Sequence, residues 1–340
     1  GLGATTLAAV TPAGRADAIA GWAGAFAEDG DLLLFGCDVA DTVRGEAFLG
    51  ELARLTGADV AASDDPTGDA ARGGDWDLDY THARLLRGTP IDPDPAAVKW
   101  LNPRIPRGVA RDVVVAIGEP GGLFVLDRAT GELVWATPFP YDVPNFHIKD
   151  INIETGEVFP NYDLGFDAPG EQHVVCFQNT TSFWPGAYHP GTNALYVPWV
   201  DTCLDMTTGA PDERDERTTI AHSATPDDLA GLAKIDMETG RIEHIYKGRV
   251  PGNGAVLATA GGLVFWGDLD RRFRAFDAES GRILWETVLG GPVQMSTITY
   301  AAGGKQYVAV YTGEGLLTGS LIDLARIEPP RNHNAVYAFA

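Results

Sequence analysis

One phrase recurs through the last two thirds of this sequence. An apolar run leads to Asp, then two residues, Thr or Ser followed by Gly, and a second apolar run, often with Trp. It reads Val125-Leu126-Asp127-Arg128-Ala129-Thr130-Gly131-Glu132-Leu133-Val134-Trp135, and it returns around Thr155-Gly156. It returns again at Ile235-Asp236-Met237-Glu238-Thr239-Gly240 and at Phe276-Asp277-Ala278-Glu279-Ser280-Gly281-Arg282-Ile283-Leu284-Trp285. The glycines of the last two copies are 41 positions apart, and those of the middle two 84, about two such periods. A repeat of ~40–50 residues with four short strands is the mark of a β-propeller. The Asp and Thr-Gly close a tight hairpin turn, and a Trp covers the seam between blades. The plainer competitor is an ordinary antiparallel sheet with common turn chemistry.

The 340 residues are 45% hydrophobic, enough for a real core. The formal net charge of −22 would repel a phosphate backbone or an anionic membrane, so nucleic-acid binding is excluded as a first reading. No apolar run reaches the ~18 residues of a membrane span; the longest, such as Val113-Val114-Val115-Ala116-Ile117, are strand-sized. Three cysteines do not make a disulfide scaffold. Cys176 and Cys203 are able to pair, with Cys37 left over, and a pair implies an oxidising compartment.

The first part has a different grammar. Residues 1–98 contain no Lys and carry a net charge of −11, as much as the remaining 242 residues. Ile19, Trp22 and Phe26 form a helix stripe. Leu32-Leu33-Leu34-Phe35 reads as a buried strand, Phe48, Leu52 and Leu55 as a second helix, and Val60-Ala61-Ala62 as another strand, a βαβ order. Asp75-Trp76-Asp77-Leu78-Asp79-Tyr80 alternates as a half-exposed strand. The expected division is an α/β fragment over 1–86, a Pro-rich linker over 87–108 and an all-β portion over 109–340. The linker rests on Pro90, Pro93, Pro95, Pro103 and Pro106, which favour extended backbone.

From about residue 110 the chain resembles the C-terminal half of a pyrroloquinoline-quinone (PQQ) dependent alcohol dehydrogenase. The matching stretches are GGLFVLDRATGELVWATPF, FWPGAYHPGTNALYVPWVDTCLDM, GLAKIDMETGRI, GNGAVLATAGGLVFWGDLDRRFRAFDAESGRILWE and GKQYVAVYTG. The resemblance implies an eight-bladed quinoprotein propeller, of which this length supplies about half. It also implies PQQ and usually calcium on the axis, a small alcohol as substrate, and a periplasmic or extracellular location. Carried over by position, it makes Asn145, Phe265, Trp266, Gly315 and Leu316 candidate cofactor contacts and Cys176–Cys203 a disulfide. The Trp of the family's Gly-Trp loop is replaced by Leu316, and Glu119 stands near the place of an Arg that reaches the quinone. The family's catalytic Asp falls just before the strand Val113–Ile117, where this chain has its Pro-rich stretch, and its main calcium ligands lie in the half not matched. No catalytic residue is therefore carried over, and no metal ligand is assigned.

The stretch LLLFGCDVADTVRGEAFLGELARLTGADVAASDDPTGDAARGGDWDLDY resembles a bacterial domain of unknown function found at the start of large, repeat-rich secreted or surface proteins. That domain is distantly like the caspase-type cysteine peptidases, which makes Cys37 a candidate nucleophile after its strand. No His precedes His82 to serve as its base, so a small buried Cys is the favoured reading. Asp75, Asp77 and Asp79 share one strand face, but the Gly and Glu of a calcium loop are absent, which favours a solvated face. The seven histidines show no metal-ligand spacing, and His189 in YHPG reads as a turn residue.

The expectation is a PQQ-dependent alcohol dehydrogenase-like region that is not catalytically complete on its own. Its rivals are a non-catalytic secreted or surface module and a cysteine peptidase remnant. Two half-propellers closing one ring would make a homodimer. Neither the alcohol nor the electron acceptor is named by the residues.

Overall fold

The computed structural model describes residues 19–20, 31–34, 52–56, 59–62 and 83–340, except 179, 182–183, 211–213, 314–318 and 331. The chain forms two compact units, Gly1–Arg84 and Leu85–Ala340. In the first, strands Asp31–Leu34 and Asp59–Ala62 pair in parallel, with helical residues 52–56 between them. This is the βαβ order expected of two short apolar runs separated by a helix stripe. The sequence-predicted helix around 19–26 is described only at residues 19–20, and the alternating strand over 75–80 lies outside the described residues. Among the described residues, no helix is long and apolar enough to cross a membrane.

The second unit is part of a propeller, built from four successive blades that are about half of an eight-bladed ring. The first is five-stranded, in the order Ala83–Thr89, Arg111–Gly118, Gly122–Asp127, Leu133–Pro138, Trp100–Leu101. The second runs Ala187–His189, Ala194–Val200, Ala230–Asp236, Ile242–Gly248. The third runs Leu257–Thr259, Leu263–Gly267, Arg272–Asp277, Ile283–Val288, and the fourth Val293–Ala302, Lys305–Thr312, Ala335–Phe339. Two excursions decorate the second blade. Hairpin Ile148–Ile151/Val158–Pro160 precedes it, and strands Gln172–Cys176, Thr202–Thr207 and Glu216–Ala221 form a side sheet.

The recurring phrase closes the same turn each time. Gly131, Gly156, Gly240 and Gly281 all have φ between +67° and +76°, a region costly for any residue with a Cβ. Their N–H groups donate to the carbonyls of Asp127, Asn152, Asp236 and Asp277 at 2.8 Å. The side chains of the same four residues accept from the N–H of Thr130, Thr155, Thr239 and Ser280, an Asx-type closure written locally in the sequence.

Consecutive blades share their cores. Val113, Val125 and Trp135 of the first pack with Leu195, Trp199 and Ile235 of the second. Tyr196 and Leu232 meet Val264, Trp266 and Phe276 at the next seam, and Phe273 meets Val293 and Val310 at the last. Trp135, Trp199 and Trp266 are fully buried, and burying each large apolar side chain contributes roughly 1.5–3 kcal/mol. A helix, Gly319–Ala325, lays Leu321 against Val200 and Leu269. Arg249 donates to the Leu324 and Ala325 carbonyls and so closes its end.

The Pro-rich stretch runs across the first blade. Ile91, Val98 and Trp100 are buried in it. Backbone bonds from Asp92 to Glu238 and from Asp94 to Thr239 hold it against the turn of the second blade. In the fourth blade, strand Ala335–Phe339 pairs on one side only among the described residues. Ile298, Tyr300 and Val336 of this blade are exposed, Val336 to 69%.

Candidate functional site

Asn145 lies in the loop after the first blade. Its Nδ2 donates to Cys176 Sγ at 2.9 Å and faces the Val174 carbonyl at 3.5 Å. Phe265 and Trp266 are neighbours on one strand, so they point to opposite faces. Phe265 stacks on Phe273 at 5.9 Å, and Trp266 is sealed into the seam beside Tyr246 and Phe276. Gly315, Leu316 and Cys37 lie outside the described residues, as do Asp75, Asp77 and Asp79. His189 accepts the Thr192 N–H through Nδ1 and closes a 3-10 turn. Cys176 and Cys203 face each other across adjacent strands, Cα atoms 4.3 Å apart, and are joined as a disulfide.

Beside that disulfide is a polar cluster that sequence reasoning missed. Asp201 ends the second strand of the second blade and is fully buried. Its Oδ2 accepts the Thr225 hydroxyl and lies 3.6 Å from His222 Nδ1. His222 Nδ1 is also 3.2 Å from Thr225 Oγ1, and its ring packs on Phe177 at 5.8 Å. Among the described residues, Asp201 Oδ1 is buried without a hydrogen-bond partner. Burial pushes the Asp201 carboxyl above the usual carboxylate range. Burial first, then the charges of Asp201 and Asp228, push the Tyr141 hydroxyl well above its ordinary value. A second buried charged group joins Arg274 to Asp268 at 2.8 Å and to Glu286 at 2.7 Å inside the third blade. Asp201, His222 and Thr225 stand at no motif spacing and meet only where the chain returns from the side sheet, whereas Asp268, Arg274 and Glu286 meet within neighbouring strands of one blade.

A shallow cleft of about 410 Å³ opens beside the loop carrying Asn145, lined by Lys99, Asp142, Phe146, Lys149, Asn161 and Asp163. Its lysines are spent on Asp142 and Asp163, each at 2.8 Å. None of the candidate cofactor contacts lines it. PQQ is a flat polyanion that needs a slot with stacking faces and cations or donors for its carboxylates. Among the described residues, the Asn145 donor is taken by a sulfur, Trp266 is closed off in a seam, and Asp201 is an acid. Calcium needs six to eight oxygens. The cluster of possible metal ligands among the described residues is Cys176, Cys203 and His222, a soft set of sulfur and nitrogen. The described residues therefore fit neither PQQ nor calcium.

Comparison with known proteins places the two units separately. Residues 1–97 match a domain of unknown function, DUF4347, and residues 224–308 match the glucose/ethanol/alcohol dehydrogenase β-propeller domain. A lupanine 17-hydroxylase [cytochrome c] from a Pseudomonas species is 31% identical over 220 residues, 62% of this chain and 31% of that protein. The quinoprotein ethanol dehydrogenase of Pseudomonas aeruginosa is 28% identical over 303 residues, 75% of this chain and 46% of that protein. Among solved structures, a quinohemoprotein alcohol dehydrogenase from Pseudomonas putida HK5 shares the fold with a TM-score of 0.56 at 23% identity, over 76% of this chain and 38% of that one. A europium-containing methanol dehydrogenase matches with a TM-score of 0.52 at 26% identity, over 64% of this chain and 38% of that one. The chain thus spans about a third to under half the length of these relatives. By fold and by sequence, its C-terminal part is homologous to the quinoprotein alcohol dehydrogenases.

Proposed function

We propose that this chain supplies a propeller segment of a PQQ-dependent alcohol dehydrogenase-like oxidoreductase and does not turn over alcohol as a single copy. The segment works in a closed ring completed by a second copy, in the periplasm or outside the cell. The observation behind this is the fourth blade, whose face carries the exposed Ile298, Tyr300 and Val336. An exposed apolar face of this kind is open to packing against another chain. The dispersal of Asn145 and Trp266 into protein contacts supports the second half of the reading. A disulfide between Cys176 and Cys203 supports the location.

The test is sedimentation across the micromolar range, followed by titration with PQQ and Ca²⁺ and a dye-linked alcohol assay. A dimer is the expected result, with a monomer that neither binds PQQ nor turns over alcohol. A monomer throughout removes the closed-ring reading; saturable PQQ binding with turnover by that monomer removes the claim of incompleteness. The rival is a non-catalytic secreted or surface module, favoured by the −22 charge and by the DUF4347 match over residues 1–97. It gains if neither state binds PQQ.

A further inference from the structure

We infer that the Cys176–Cys203 disulfide is a latent metal site, which on reduction takes up a soft divalent ion, Zn²⁺ by chemical class, with His222 as third ligand. The two sulfurs and a ring nitrogen of His222 all lie within 4.8 Å of one another, and all three residues are buried. The backbone that holds them does not depend on the sulfur–sulfur bond. Cys176 and Cys203 are paired in one antiparallel ladder, and Cys203 is paired with Ile220 in the next, two residues before His222. The ladders keep the thiols opposed after reduction, and small side-chain rotations suffice to part the sulfurs around an ion with Zn–S distances of about 2.3 Å.

The surroundings suit a metal-bound state. Thr225 Oγ1 bridges the Asp201 carboxylate and His222 Nδ1, a hydroxyl-relayed carboxylate–imidazole arrangement that orients a ligating ring. The Asp201 oxygens are not among the ligand atoms that lie within 4.8 Å of one another, so the fourth position is left to a water or an added ligand. The Asn145 amide, 2.9 Å from Cys176 Sγ, is a donor for the charge of a thiolate. Two thiolates and an imidazole select zinc over calcium or magnesium. The chemistry balances with an external thiol as reductant. Two thiols reduce the disulfide to two cysteine thiols and leave as their own disulfide; Zn²⁺ then displaces the two cysteine protons.

The test uses the full chain with Cys37→Ser, so that only these two thiols remain. Oxidised and reduced protein, the latter freed of reductant under anaerobic conditions, are titrated with Co²⁺ and back-titrated with Zn²⁺. Reduced protein is expected to bind one Co²⁺ with a sulfur-to-cobalt charge-transfer band and the strong visible bands of a tetrahedral ion; oxidised protein is expected to show neither. Cys203→Ser should abolish the charge-transfer band, and Asp201→Asn should weaken affinity by about 10–100-fold. A folded, reduced chain without these bands overturns the proposal, as does a His222→Ala chain that binds equally well. If near-ultraviolet circular dichroism shows that reduction loosens the fold, stoichiometric Zn²⁺ is expected to restore the signal; failure to do so also overturns it.

Discussion

The third copy of the turn phrase places His244 four residues after Gly240, where the first and fourth copies place Trp135 and Trp285. The imidazole is used there as an aromatic seam filler. It lies 5.1 Å from the Trp199 ring, edge to face, and 4.6 Å from Tyr141. Burial, and then the Lys247 charge, hold its pKa down at about 4, against a hydrogen bond to the Pro140 backbone that favours the charged form. An unfolded histidine titrates near 6.5. As pH falls from 6.5 to 4, the unfolded chain takes up a proton that the folded chain refuses, so stability drains away through that window. At about 1.4 kcal/mol per unit, the ceiling is about 3.4 kcal/mol. With the ring partly exposed, about 2 kcal/mol is the better figure. Other acidic groups also titrate here, so the measurement is a difference. Urea unfolding of the native chain and of His244→Phe is compared at pH 7 and pH 4.5. About 1.4 kcal/mol of this is lost by pH 4.5, so with a slope of about 3 kcal/mol per M the native midpoint should fall by about 0.5 M more than that of the variant. Equal falls would refute the account.

Two further substitutions test the packing. Asp268→Asn and Arg274→Met each break a buried pair and should each cost about 3 kcal/mol. The double variant should cost at least 1 kcal/mol less than their sum, read from a urea double-mutant cycle, and strict additivity would mean the pair is uncoupled. Gly131 and Gly240 have nearly the same φ, but an added Cβ meets nothing at 131 and would lie 2.3 Å from Val98 Cγ1 at 240. Both changes to Ala should therefore pay about 1–2 kcal/mol of backbone strain, and only Gly240→Ala a further 1–3 kcal/mol, roughly, for overpacking. Thermal unfolding of the two variants side by side decides it.

The blades were legible because their punctuation is local. Asp or Asn, Thr or Ser, and Gly close each turn with atoms no more than five residues apart, so a window on the sequence contains the whole cause. The parallel strands at 31–34 and 59–62 were legible for the same reason, as short apolar runs around a helix stripe. The cluster of Asp201, His222 and Thr225 was not, because its members meet only after the side sheet leaves the second blade and returns. Nor was the role of His244, whose residue type points to titration when its place in the repeat points to packing. Asn145 was placed by resemblance, and its contact with a sulfur, made across 31 residues, could not be read from a local window. The fate of Gly315 and Leu316 lies outside the described residues.

One segment hems both sides of the first blade, Ala83–Thr89 along one edge and Trp100–Leu101 along the other. Truncation meets this hem directly. A gene shortened to begin at residue 109 would strip both selvedges at once and bare two rows of backbone donors and acceptors. It would also remove Ile91 and Val98 from beneath the seam. Such a product should clump rather than fold, and a soluble propeller unit should need a start ahead of residue 83.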